Sequence, residues 1–168
     1  CTQNGVRGGS ATVHFPIWHQ EIEDILVLKN NKGTEDNRVR KLDYSIQISE
    51  LFYKRFIDDG DISLFSPHDV DNLYDVYGSP EFDTLYEKYE RNKKIPRKTI
   101  GAQKLFMELL KERAETGRIY IMNIDHCNTH SSFKDKVYMS NLCQEITLPT
   151  KPVQHIDDPE GEIALCIL

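Results

Sequence analysis

Ala102, Leu105, Phe106, Leu109 and Leu110 fall at i, i+3, i+4, i+7 and i+8, a stripe that an α-helix buries on one side. Gly117 follows as a stop signal, and Arg118-Ile119-Tyr120-Ile121-Met122-Asn123 then reads as a strand. The same alternation runs upstream. Residues 11–19 predict a short strand interrupted by Pro16, and 21–30 a helix with acids in its first turn and Lys29 near its end. Tyr44, Ile46 and Ile48 alternate, giving a strand over 43–48, and Ser49 is placed to cap a helix carrying Leu51, Phe52, Arg55 and Phe56. A turn over 58–61 leads to a strand over 62–65. Ser66-Pro67 and Ser79-Pro80 are helix starts, the second opening a helix through Phe82, Leu85, Tyr86 and Tyr89. Helices alternating with strands define an α/β chain with at least some parallel pairing.

Charge narrows the function. Twenty-one Lys and Arg against 27 Asp and Glu leave a formal charge of −6. That balance argues against a nucleic-acid scaffold or a binder of anionic membranes, since both surfaces repel a net anion. No apolar run approaches the ~18 residues of a membrane span. The four cysteines at 1, 127, 143 and 166 form no CxxC pair, so reduced thiols and a cytoplasmic setting are expected. Residues 162–168 read as a strand in mid-course and no targeting segment precedes Cys1, so both ends look cut and 1–168 reads as a single partial domain.

Three segments carry candidate chemistry. The glycine-rich stretch 1–10 offers backbone N–H groups and the Arg7 guanidinium to an anion, but lacks the Lys-Ser/Thr ending of a P-loop. Asp125-His126-Cys127-Asn128-Thr129-His130 crowds metal-capable side chains, and only His155 or Glu145 offers a further ligand, so hydrogen-bonded residues and no metal are the preferred reading. Residues 139–146 in extended geometry would set Asn141, Cys143 and Glu145 on one face, bringing an amide, a thiol and a carboxylate together. That pattern fits a catalytic site and a half-buried strand equally. A thiol hydrolase would also need His126, His130 or His155 beside Cys143.

Asn141-Leu142-Cys143-Gln144-Glu145 resembles the Asn-x-Cys-x-Glu finger loop of the catalytic subunits of class I ribonucleotide reductases. Gly161-Glu162-Ile163-Ala164-Leu165-Cys166 resembles the family strand that carries a redox cysteine, and Gly5-Val6-Arg7-Gly8-Gly9-Ser10-Ala11-Thr12 the loop linking specificity effector to substrate. Trp18-His19, the run Leu26 to Asn31, Leu64 to Val70, and Thr116 to Tyr120 match in order, with a bacterial and tailed-phage flavour. The resemblance implies part of a ten-stranded α/β barrel with residues 139–146 as a finger loop through its centre. It implies Cys143 as a thiyl radical taking the ribose 3′-hydrogen, Glu145 as base on the 3′-hydroxyl and Asn141 as a holder of the ribose hydroxyls. Cys166 would be one of two reducing thiols. Gln3, Arg7, Gly8 and Gly9 would read the substrate base and report the effector.

The same resemblance implies partners. A metal-containing small subunit supplies the radical, thioredoxin or glutaredoxin the reducing equivalents, and ATP and deoxynucleotides act as effectors at sites mostly outside these residues. The substrates are ribonucleoside diphosphates, and no cofactor is expected within the chain itself. The family's other redox cysteine and its diphosphate-binding loop are not in this sequence. The alternatives are a split-gene assembly module completed by partner chains, and the thiol hydrolase. Cys127 reads as structural.

Overall fold

The computed structural model describes residues 3–32 and 34–165. In chain order the elements are β1 (Thr12–Pro16), α1 (Ile22–Leu26), β2 (Asp43–Ile48), α2 (Glu50–Ile57), β3 (Asp61–Leu64), α3 (Glu81–Arg91), β4 (Lys98–Gly101), α4 (Ala102–Thr116), β5 (Ile119–Asn123) and α5 (Ile124–Thr129). Short 3₁₀ turns occupy Gln3–Gly5, Glu35–Asn37 and Pro67–Asp69. No described helix is long and apolar enough to cross a membrane.

The main sheet runs β1-β2-β5 with every pairing parallel. Its register sets Val13, Phe15, Tyr44, Ile46, Ile48, Ile119 and Ile121 on one face, against the helices. Thr12, His14, Ser45, Gln47, Tyr120 and Met122 share the other. Five of the six β2 residues are buried, including Ser45 and Gln47, as expected of a central strand covered on both sides. β3 and β4 form a separate antiparallel pair. Tyr86 of α3 locks β3 in place, accepting from Ser63 N (2.8 Å) and donating to Ser63 O (2.6 Å).

α4 buries Ala102, Leu105 and Leu109, and Gly117 ends it in the left-handed region (φ 66°), its N–H donating to Arg113 O at 2.7 Å. Leu110 is 37% exposed, so the outer edge of the expected stripe faces away from the core.

Several boundaries differ from the sequence expectation, each for a local reason. α1 stops at Leu26, because Leu28 O accepts from Val39 N (3.0 Å), Asn30 O accepts from Arg38 Nε (3.1 Å), and Lys29 turns to Asp43 Oδ1 (2.6 Å). Ser49 sits at the N-cap of α2, but its side chain makes no capping bond, and Asp125 of α5 accepts from Glu50 N instead. Ser66-Pro67 opens only a 3₁₀ turn, with Ser66 Oγ accepting from His68 N (3.3 Å). β4 and α5 are too polar to show apolar periodicity. The strand expected over 162–168 is reduced, within the described residues, to one antiparallel bridge between Glu162 and Lys151. Ile163 and Leu165 are 71% and 82% exposed, so no neighbouring strand or packed face holds them extended.

Candidate active site

The polar face of the main sheet is covered by residues 138–144. Alternate carbonyls of this segment meet side chains rising from the strands: Tyr138 O accepts from Gln47 Nε2 (2.5 Å), Ser140 O from His14 Nε2 (3.1 Å) and Leu142 O from Thr12 Oγ1 (2.6 Å). One repeat further along the same period, Gln144 reaches down. Its Oε1 accepts from Ser45 Oγ and its Nε2 donates to Ile121 O at 2.6 Å. Burial holds the His14 imidazole below its usual pKa, and the bond to Ser140 opposes this only in part.

Past Leu142 the segment turns. Gln144 adopts φ 61°, a left-handed conformation costing about 1–2 kcal/mol for a residue with a Cβ. The turn is held by Asn141, whose Oδ1 accepts from Glu145 N (3.1 Å) and Ile146 N (3.0 Å) while its O accepts from Gln144 N (3.2 Å). Ser140 Oγ donates to Ile146 O at 2.5 Å. The expected extended strand over 139–146 is therefore not formed. An amide at 141 that satisfies two backbone N–H groups bends the chain, and Asn141, Cys143 and Glu145 do not alternate along a strand. Cys143 and Glu145 are exposed at the turn, whereas Asn141 and Gln144 are half-buried.

A cavity of about 830 Å³ adjoins the loop, with Asn141, Ser140 and Met139 on one wall and Tyr74, Lys136 and Val153 on others. Cys143 and Glu145 do not line it. The Lys136 ammonium lies 4.7 Å from the centre of the Tyr138 ring and donates to Asp75 O. Burial pulls its pKa down to about 8 against the opposing pull of Asp75, Asp125 and Glu81. Asn128 of α5 fixes the approach to the loop, accepting from Val137 N (2.9 Å) and donating to Val137 O (3.0 Å).

The family model of the ribonucleotide reductase barrel domain matches residues 1–168. The chain belongs to the ribonucleotide reductase family. The ribonucleoside-diphosphate reductase subunit alpha of Haemophilus influenzae is 56% identical over 173 residues, across the whole chain and 23% of that protein. The ribonucleoside-diphosphate reductase 1 subunit alpha of Escherichia coli K12 is 54% identical over 158 residues, covering 91% of the chain and 21% of that protein. The alpha subunit of phage T4 is 45% identical over 174 residues, covering the whole chain and 23% of that protein. The chain thus spans less than a quarter of the length of these relatives.

The remaining reductase-motif residues are only partly brought together. Gln3 opens the first 3₁₀ turn, and Arg7, Gly8 and Gly9 follow in an exposed loop running into β1. Through Thr12 and Leu142, β1 ties that loop to the segment 138–144. Cys166 lies outside the described residues. His126 and His130 stack edge-on at 5.4 Å, and no group of three or more His, Cys, Asp or Glu is arranged to hold a metal among the described residues. Burial raises the pKa of Cys127. Sequence reasoning missed Thr12, His14, Ser45, Gln47 and Gln144. The period of two in His14, Ser45 and Gln47 was the available signal, because polar residues facing inward on a parallel sheet need partners.

Proposed function

We propose that the chain contributes the finger loop of a ribonucleoside-diphosphate reductase catalytic subunit, working in the cytoplasm. The observation that supports this best is the pinned turn, which presents Cys143 and Glu145 outward while Gln144 faces the sheet. Asn141 spends its Oδ1 on the turn, so its –NH₂ end is the part suited to a ribose hydroxyl.

In this reading a radical arrives from a metal-containing small subunit. Cys143 as a thiyl takes the ribose 3′-hydrogen, forming S–H and leaving a carbon radical. Glu145 takes the 3′-hydroxyl proton as the 2′-hydroxyl departs, protonated, as water. Of two thiols, Cys166 and a second cysteine elsewhere in the subunit, one gives the departing water its proton and the other gives C2′ a hydrogen atom; together they pass one further electron to the 3′-ketone and become a disulfide, as Glu145 returns its proton to the 3′-oxygen. Cys143 then returns its hydrogen to C3′ and is again a thiyl. Thioredoxin or glutaredoxin resets the disulfide. Gln3, Arg7, Gly8 and Gly9 relay which deoxynucleotide or ATP effector is bound to the base of the substrate.

The test is diphosphate reduction by the complete subunit with its small subunit. Cys143→Ser abolishes turnover, and Glu145→Gln lowers kcat by roughly 100-fold or more, the range of positioned acid–base groups. Full activity in Cys143→Ser would remove the assignment.

A further inference from the structure

We propose that Gln144, the residue between the thiol and the carboxylate, is a positioning residue that fixes the reactive turn to the sheet. This inference rests on the finger-loop reading above. Gln144 is half-buried between two exposed neighbours, so its side chain points into the sheet and sends Cys143 and Glu145 the other way. Both ends of its amide are used. Oε1 accepts from Ser45 Oγ on β2, and Nε2 donates to the Ile121 carbonyl on β5 at 2.6 Å. Ser45 is fully buried, and β2 and β5 are paired in register, so the two anchors form one rigid reference.

The other bonds to the sheet act on loop carbonyls, those of 138 and 140 before the turn and that of 142 at its start. The bonds from Asn141 to residues 145 and 146 shape the turn but stay within the loop. Gln144 is the turn residue whose side chain ties it to β2 and β5. It does so in a left-handed conformation (φ 61°), which an L-residue adopts only when its surroundings compel it. A hydrogen abstraction needs its reacting atoms held closely, and the clamp fixes where Cys143 and Glu145 stand relative to anything bound against the sheet.

The test uses the complete subunit carrying Gln144→Gly, which keeps the left-handed backbone but drops the amide, together with Ser45→Ala and the double variant. Hydrogen exchange over 139–146 reports the clamp without requiring turnover. Exchange quickens in both single variants, and kcat falls about tenfold or more with KM within about twofold, since small misplacements of reacting groups act on rate. The double variant is no worse than Gln144→Gly alone, because both changes break one linked clamp. Unchanged exchange in Gln144→Gly, or fully additive effects, overturns the proposal. Quickened exchange in both variants, with Cys143→Ser still active, leaves the clamp standing and removes the role of Cys143 instead.

Discussion

At the residue scale, His14 shows how the docked loop makes the protein sensitive to pH. Its Nε2 donates to Ser140 O, while Nδ1 is buried without a protein partner, so a proton added there enters a site with no acceptor. Burial lowers the folded pKa below the ordinary 6.5. As pH falls below 6.5 the unfolded chain takes up a proton that the folded chain refuses, so stability declines until the folded imidazole also titrates. Above 6.5 both forms are neutral and the effect vanishes. An NMR titration of the ring places its midpoint below 6.5, and a midpoint at or above that value contradicts the burial argument. Lys29 and Asp43 illustrate a different liability. They pair at 2.6 Å with side chains 6% and 22% exposed, so Lys29→Met strands a carboxylate in a largely buried site. That truncation costs about 3 kcal/mol, against 1 or less for an exposed pair such as Lys32 with Glu115, and chemical denaturation of the two variants separates them.

At the scale of elements, the packing of α5 explains why two glycines that both adopt positive φ differ in tolerance. A Cβ on Gly78 (φ 85°) would stand 2.7 Å from Ile124 Cγ1 and 2.9 Å from Asn128 Nδ2. One on Gly117 (φ 66°) would meet nothing within 4 Å. Gly117→Ala therefore costs about 1 kcal/mol of backbone strain, and Gly78→Ala adds overpacking for about 2–4 kcal/mol in all. Denaturation midpoints should rank them in that order, and equal losses would mean that α5 yields to the new methyl. The sequence showed the elements that carry an apolar period. β2, α3, α4 and β5 were all legible, because their stripes are buried by neighbours of matching period. β4 and α5 were not, since Lys98 and Thr99 are exposed and α5 is held by Asp125 and Asn128 rather than by an apolar face. The finger-loop motif was legible as a string of residues, but its shape was not. Asn141 bends the chain locally, but the seating of the loop on the sheet depends on bonds from Thr12, His14, Ser45 and Gln47, each more than ninety residues from its partner, and no local pattern at 139–146 encodes them.

At the scale of the whole molecule, the arrangement is a wall with its inner lining rather than a closed vessel. The main sheet has β2 at its centre, and β1 and β5 each pair on one side only among the described residues. Parallel strands with an open edge expose a row of unpaired N–H and C=O groups, a template for further pairing. Ile57, Ile156, Ile163 and Leu165 add apolar surface, each at least 71% exposed. The relatives are more than four times as long as this chain. The net charge of −6 opposes association, but it acts over a Debye length of about 8 Å at physiological salt, whereas strand pairing and apolar contact act on touching. Short-range attraction wins once copies meet. The 168-residue chain made by itself should therefore associate in a concentration-dependent way, and more readily as salt screens its charge. Sedimentation velocity across a concentration and salt series measures this directly. A monomer at every concentration, unfolding in one cooperative transition, would mean that the helical layer and the docked segment 138–144 suffice to close the fold without further chain.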